Sequence, residues 1–76
     1  MSTVTLVRIE RLPIRLGQFL KIANLVQDGF EAKIRIQHGE VLLNGMVETQ
    51  RGKQLQQDDI VTFAGMNYQV QLSSIQ

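Results

Sequence analysis

Residues 3–9, TVTLVRI, alternate β-branched or apolar side chains with others, a period of two that predicts a short strand ending before Pro13. The period then lengthens. Leu16, Phe19, Leu20 and Ala23 fall at i, i+3, i+4 and i+7, the apolar stripe of a helix that ends near Asn24 or Leu25. A second helix is predicted from Asp28, a capping residue with Glu31 in the capping-box position three residues on, to Gly39, whose missing Cβ suits a left-handed stop. Within it Ala32 and Ile36 share one face while Phe30 and Ile34 share an adjoining one, so most of its circumference is expected to be covered.

After Gly39 the period returns to two. Val41 to Leu43 and Met46 to Glu48 flank Asn44-Gly45, the pair that best suits a two-residue type I′ hairpin because both central positions need positive φ. A polar stretch, Thr49 to Gln54, precedes Leu55, and Gln57-Asp58-Asp59 turns the chain into a strand over Ile60 to Phe63. Gly65 to Asn67 reads as a further turn before a strand from Tyr68 to Leu72, with the last few residues expected to fray. A strand, two helices and then several strands form an α+β pattern, with the helix pair on one side of a small antiparallel or mixed sheet.

Length bounds this picture. Seventy-six residues, 43% of them apolar, make one small domain over 1–76, and a chain this short buries only about 60% of the surface it exposes when unfolded. It contains no cysteine, so packing must hold it without disulfides or thiolate-bound metal. The N-terminal MSTVTLVRIER lacks a signal-peptide pattern, and no apolar run approaches the ~20 residues of a membrane span; a soluble, cytoplasmic protein is expected.

The formal charge is only +1, yet it is unevenly spread. Residues 1–38 carry Arg8, Arg11, Arg15, Lys21, Lys33 and Arg35 against Glu10, Asp28 and Glu31, whereas the rest carries Arg51 and Lys53 against Glu40, Glu48, Asp58 and Asp59. This asymmetry allows a basic face suited to a polyanion, although scattered solvated charge would look the same. Catalysis has no visible footing. His38 is the only histidine and sits beside the Gly39 stop, where it favours the helix dipole. Asp58 and Asp59 are adjacent and would diverge in extended backbone, so they read as turn residues. Gly39, Gly45, Gly52 and Gly65 are isolated and form no phosphate loop. No metal ligands or cofactor site are expected.

Helical position separates the basic residues. Arg35 follows Glu31 by four residues in the favourable acid-then-base order, so its charge is partly answered. Lys33 has no such partner and must project outward. Lys21 lies off the apolar stripe of the first helix, and Arg51 and Lys53 stand two apart in a Gly-containing polar loop whose adaptable cations suit a curved backbone.

The segment LGQFLKIANLVQDGFEAKIRIQHGEVLLNGMVET resembles the S-four (S4) RNA-binding domain, named after the fourth small-subunit ribosomal protein. The likeness rests on Leu16 to Leu20 in the first helix, Ala32 with Lys33 in the second, then Gly39, the hairpin Val41 to Gly45, and Asp58-Asp59 before Ile60. It covers residues 14–65 and is closest to the small stand-alone bacterial proteins of the family, through LGQFLK, GFEAK, NGMVETQRGKQL and VTFAG. Larger relatives attach this domain to pseudouridine synthases or tyrosyl-tRNA synthetases; no attached catalytic domain is expected here. The resemblance implies the S-four-like αL-motif fold, a two-helix pair on a mostly antiparallel sheet. It also implies RNA contact through Lys33, Arg51 and Lys53, with Lys21 beside them and Arg15 and Arg35 as secondary candidates. Two departures stand out: glycine is usual where Asp58 lies, and a small residue is common where Phe30 lies.

The combined reading is a non-catalytic module that grips the phosphates of a structured RNA, such as ribosomal or transfer RNA, with the ribosome or its precursors as the setting. Phe19, Phe30 and Phe63 read as core and only Tyr68 as an available stacking face, which favours recognition of shape and backbone over splayed bases. The competing reading is a protein-interaction module that uses a sheet edge or an apolar patch including Met46 or Met66.

Overall fold

The computed structural model describes residues 3–73. In chain order it has β1 (Val4–Ile9), β2 (Ile14–Arg15), α1 (Leu16–Ile22), α2 (Gly29–Gln37), β3 (Val41–Leu43), β4 (Met46–Val47), β5 (Gln54–Leu55), β6 (Ile60–Phe63) and β7 (Met66–Leu72). Five strands form one sheet in the order β1-β7-β6-β3-β4, with β1 parallel to β7 and the other neighbours antiparallel. A second ladder, β2 with β5, pairs Ile14 with Leu55 and Arg15 with Gln54.

The stripe on α1 is buried, with Leu16, Phe19 and Leu20 fully inaccessible. They meet Ala32 and Ile36 of α2, and Val41, Val61 and Val70 of the sheet, in one apolar cluster. The ends of α2 are fixed locally. Asp28 Oδ1 accepts from the Glu31 N–H at 2.9 Å. The Glu31 carboxylate accepts at 2.8 Å from the N–H of Gln27, one residue earlier than a regular capping box would have it. At the other end Gly39 has φ +76°, its N–H donates to Ile36 O, and the Glu40 N–H donates to Arg35 O. That pair of bonds is a Schellman stop.

Phe30 departs from expectation. It is 69% exposed, not core. Positions 30 and 32 lie about 200° apart on a helix, so once Ala32 and Ile36 face inward Phe30 must face out. Only one side of this nine-residue helix is covered.

The hairpin β3–β4 turns through Asn44 and Gly45, with φ +51° and +87°, as the sequence predicts. Asn44 also braces the neighbouring connection: its Oδ1 accepts from Ile60 N–H at 2.9 Å and its Nδ2 donates to Asp59 Oδ1 at 3.1 Å. The β6–β7 turn is shifted from the predicted Gly65 to Asn67. It is made by Ala64 and Gly65, φ +53° and +79°, and Met66 already pairs with Phe63. Alanine rarely adopts positive φ, so its residue type conceals this turn. Asp58, at φ +72°, adopts the left-handed conformation that a glycine there would take without strain.

Candidate nucleic-acid interface

The small β2–β5 ladder brings the polar loop 49–53 against the first turn of α1. Leu16 N–H donates to Lys53 O at 2.8 Å and Gly17 N–H donates to Arg51 O at 3.1 Å. These bonds satisfy two N–H groups at a helix start, which lack partners within the helix. Gly17 permits the approach: a Cβ there would stand 2.7 Å from Arg51 Cγ. The Arg51 stem therefore lies across α1 only because position 17 has no side chain.

A crevice of about 300 Å³ results, lined by Arg15, Gly17, Gln18, Lys21, Gly29, Arg51 and Gly52. Lys21 reaches it because it follows Gly17 by one helical turn. Among the described residues, no carboxylate lines the crevice. Arg15, Lys21 and Arg51 are exposed, and among the described residues none of them forms a salt bridge. Three uncompensated cations around a concave surface create a local positive potential that favours an anion. Lys33, exposed and likewise without a salt bridge, follows Gly29 by four residues and so continues this edge along α2.

Other candidates lie elsewhere. Arg35 is about 200° around α2 from Lys33 and is engaged by Glu31 at 3.6 Å and Glu40 at 3.1 Å. Lys53 contributes its carbonyl to the start of α1, but the residue lines a separate concavity at the β3–β4 hairpin, with Met46, Glu48 and Asp59. Tyr68 is half-buried and packs on the core. The sequence reading assigned no role to Arg8 and Arg11. They line a groove with Pro13 and Ile22 that meets the cationic crevice at Gln18, and their only sequence signal was the positive balance of the N-terminal half.

His38 is exposed and its Nδ1 lies 3.9 Å from Glu40 Oε2. Asp58 accepts from the side-chain amides of Gln57 and Gln69, and Asp59 from Asn44 and the Gln56 N–H. Among the described residues, no cluster of three or more His, Asp or Glu is placed to hold a metal, and no helix is long and apolar enough to cross a membrane.

An α+β domain with a short helix pair on a mostly antiparallel sheet, and a cationic crevice where the first helix meets a polar loop, is the class this structure defines. Residues 7–71 match the family model of the S4 domain, and the chain belongs to that family. Among curated proteins it is similar to the probable ribosome maturation protein RlbA of Bacillus subtilis (strain 168), with 39% identity over 59 residues, covering 78% of this chain and 83% of that protein. Among solved structures it is similar to YbcJ from E. coli, with a TM-score of 0.68 and 32% identity over 93% of this chain and 91% of that one. The YbcJ solution structure is reported to reveal an αL motif involved in RNA-binding.

Proposed function

We propose that this chain is a non-catalytic RNA-binding module that acts as a single unit over residues 1–76 and holds the phosphates of a structured RNA. The observation that carries this reading is the crevice of Arg15, Lys21 and Arg51, free of acid among the described residues, with Lys33 one helical turn beyond its Gly29. Lys53 and Arg35 contribute at the periphery, Arg35 less because two carboxylates already engage it. The RNA-binding motif named for YbcJ and the ribosome maturation role named for RlbA support ribosomal RNA or its precursors as the partner, in the cytoplasm. Each phosphate held releases condensed counterion, so affinity falls with salt at a logarithmic slope of roughly 0.7 to 0.9 per contact, or about two to four in all.

The test is an amide-shift titration with a structured hairpin RNA, single-stranded RNA and duplex DNA, at low and raised salt. Shifts should centre on Lys21, Lys33 and residues 51–53, favour the hairpin and fade with salt. A folded Lys33→Glu variant that binds the hairpin as tightly as wild type would remove the α2 surface from the site. The protein-interaction reading draws on Met46 and Val47, which are 75% and 57% exposed on the edge strand β4. It predicts a complex that salt barely weakens.

A further inference from the structure

Phe30 is the one aromatic side chain among the described residues that stands mostly in solvent, at 69% exposure, while Phe19 is fully buried and Phe63 and Tyr68 pack against the core. It lies in the first turn of α2, directly after Gly29, which lines the cationic crevice. Phe30 lines a second concavity of about 670 Å³ together with Leu25, Gln27, Asp28, Glu31, Ile34 and Arg35. The two depressions thus adjoin at the start of α2 and differ in charge. One presents cations and, among the described residues, no acid. The other presents an aromatic face, apolar walls, two carboxylates that make the capping bonds, and Arg35 and His38 at its far side, with Arg35 already paired to Glu31 at 3.6 Å and Glu40 at 3.1 Å.

We infer that Phe30 is a stacking platform for an unpaired nucleobase of the RNA whose phosphates occupy the adjoining crevice; this rests on the RNA-binding reading above. On the Phe30 side the single arginine, Arg35, is already engaged by Glu31 and Glu40, and Asp28 adds a further carboxylate, so a phosphate is less favoured there than in the crevice whereas an uncharged base is not; the nucleotide is thus oriented with phosphate towards Arg15, Lys21 and Arg51 and base towards the ring. Every base has a π-face, so stacking of this kind tolerates sequence and demands only that the base be free of a helix. The expected partner is therefore a structured RNA with an unpaired nucleotide, in a loop or bulge, beside the bound backbone. On this inference, recognition of shape and backbone is joined by one base stack.

The test compares the full-length wild type, F30A and F30W on a hairpin RNA with an unpaired loop and on a blunt, fully paired RNA duplex. F30A should weaken hairpin binding about tenfold, within the range of base–aromatic stacking, and leave the salt slope and duplex binding unchanged. F30W should bind the hairpin like wild type. Because the chain contains no other tryptophan, quenching of its fluorescence on hairpin addition reports the stack directly. Stacking is overturned if F30A binds the hairpin like wild type, weakens both RNAs equally or lowers the salt slope. It is also overturned if the F30W indole stays unquenched at saturating hairpin, or if F30A shifts the sedimentation of the RNA-free protein, which would mark the ring as a self-association contact. Wild type that binds neither RNA would sink the RNA-binding reading and the stack together. Wild type and F30A that bind the hairpin equally would sink the stack alone.

Discussion

Gly17→Ala offers a direct test of how the crevice is assembled. The added Cβ would stand 2.7 Å from Arg51 Cγ, closer than real contacts allow, but 3.4 Å from its Cδ and 3.6 Å from Arg51 O, which are ordinary distances. The backbone bond from Gly17 N–H to Arg51 O can therefore survive while the exposed Arg51 stem swings aside. Alanine is favoured over glycine in a helix by up to about 1 kcal/mol, which offsets the displacement, so stability should change by less than about 1 kcal/mol. RNA binding should suffer more. Losing one phosphate contact lowers the logarithmic salt slope by roughly 0.7 to 0.9, and by the same relation weakens binding about five- to eightfold near 0.1 M salt. The assay is a salt series of dissociation constants for wild type, G17A, R51A and the double variant, with urea unfolding of each. Because both substitutions remove the same contact, the double variant should bind like R51A alone. Additive effects, a G17A variant with wild-type slope, or a stability loss above about 2 kcal/mol would each refute the reasoning.

Two further outcomes test the turns that frame the sheet. Asn44→Ala removes both side-chain bonds to the 59–60 connection and places alanine at φ +51°, and should lose about 1 to 2 kcal/mol in urea unfolding. Asn44→Gly relieves the backbone cost and should lose less; equal losses would assign the whole effect to the hydrogen bonds. Ala64→Gly relieves a left-handed alanine that is exposed in the β6–β7 turn, and despite the added freedom of the unfolded chain it should raise stability by about 0.5 to 1 kcal/mol. A lower melting temperature for this variant would contradict the turn geometry.

Signals confined to a few neighbouring residues were legible in advance. The stripe of Leu16, Phe19 and Leu20, the Asp28 cap, the Gly39 stop and the Asn44-Gly45 turn each depend on local spacing or on a single residue's backbone preference, and each stands where it was expected. The Ala64-Gly65 turn was missed because sheet pairing on both sides holds Ala64 in a conformation that its own preference disfavours. The outward face of Phe30 was missed for a related reason. The alternation Phe30, Ala32, Ile34, Ile36 shows two apolar rows but does not say which one the helix pair will cover. The separation of Lys53 from Arg51 was equally hidden, since two residues of one loop can face different concavities.

The two helices and the longer strands in their order, the Asp28 cap, the Gly39 stop, the Asn44-Gly45 turn and the supply of cations in the N-terminal half were thus determined by sequence alone, because each follows from interactions within about a turn of helix or a hairpin. Tertiary structure decided the rest. The parallel union of β1 with β7 joins segments some sixty residues apart, and the β2–β5 ladder carries the 49–53 loop back to α1. Such pairings depend on burial shared across the whole core, which no local window contains. The crevice inherits that dependence: Arg15 and Lys21 were readable as charges, but only the long-range ladder and the bare Gly17 set Arg51 beside them.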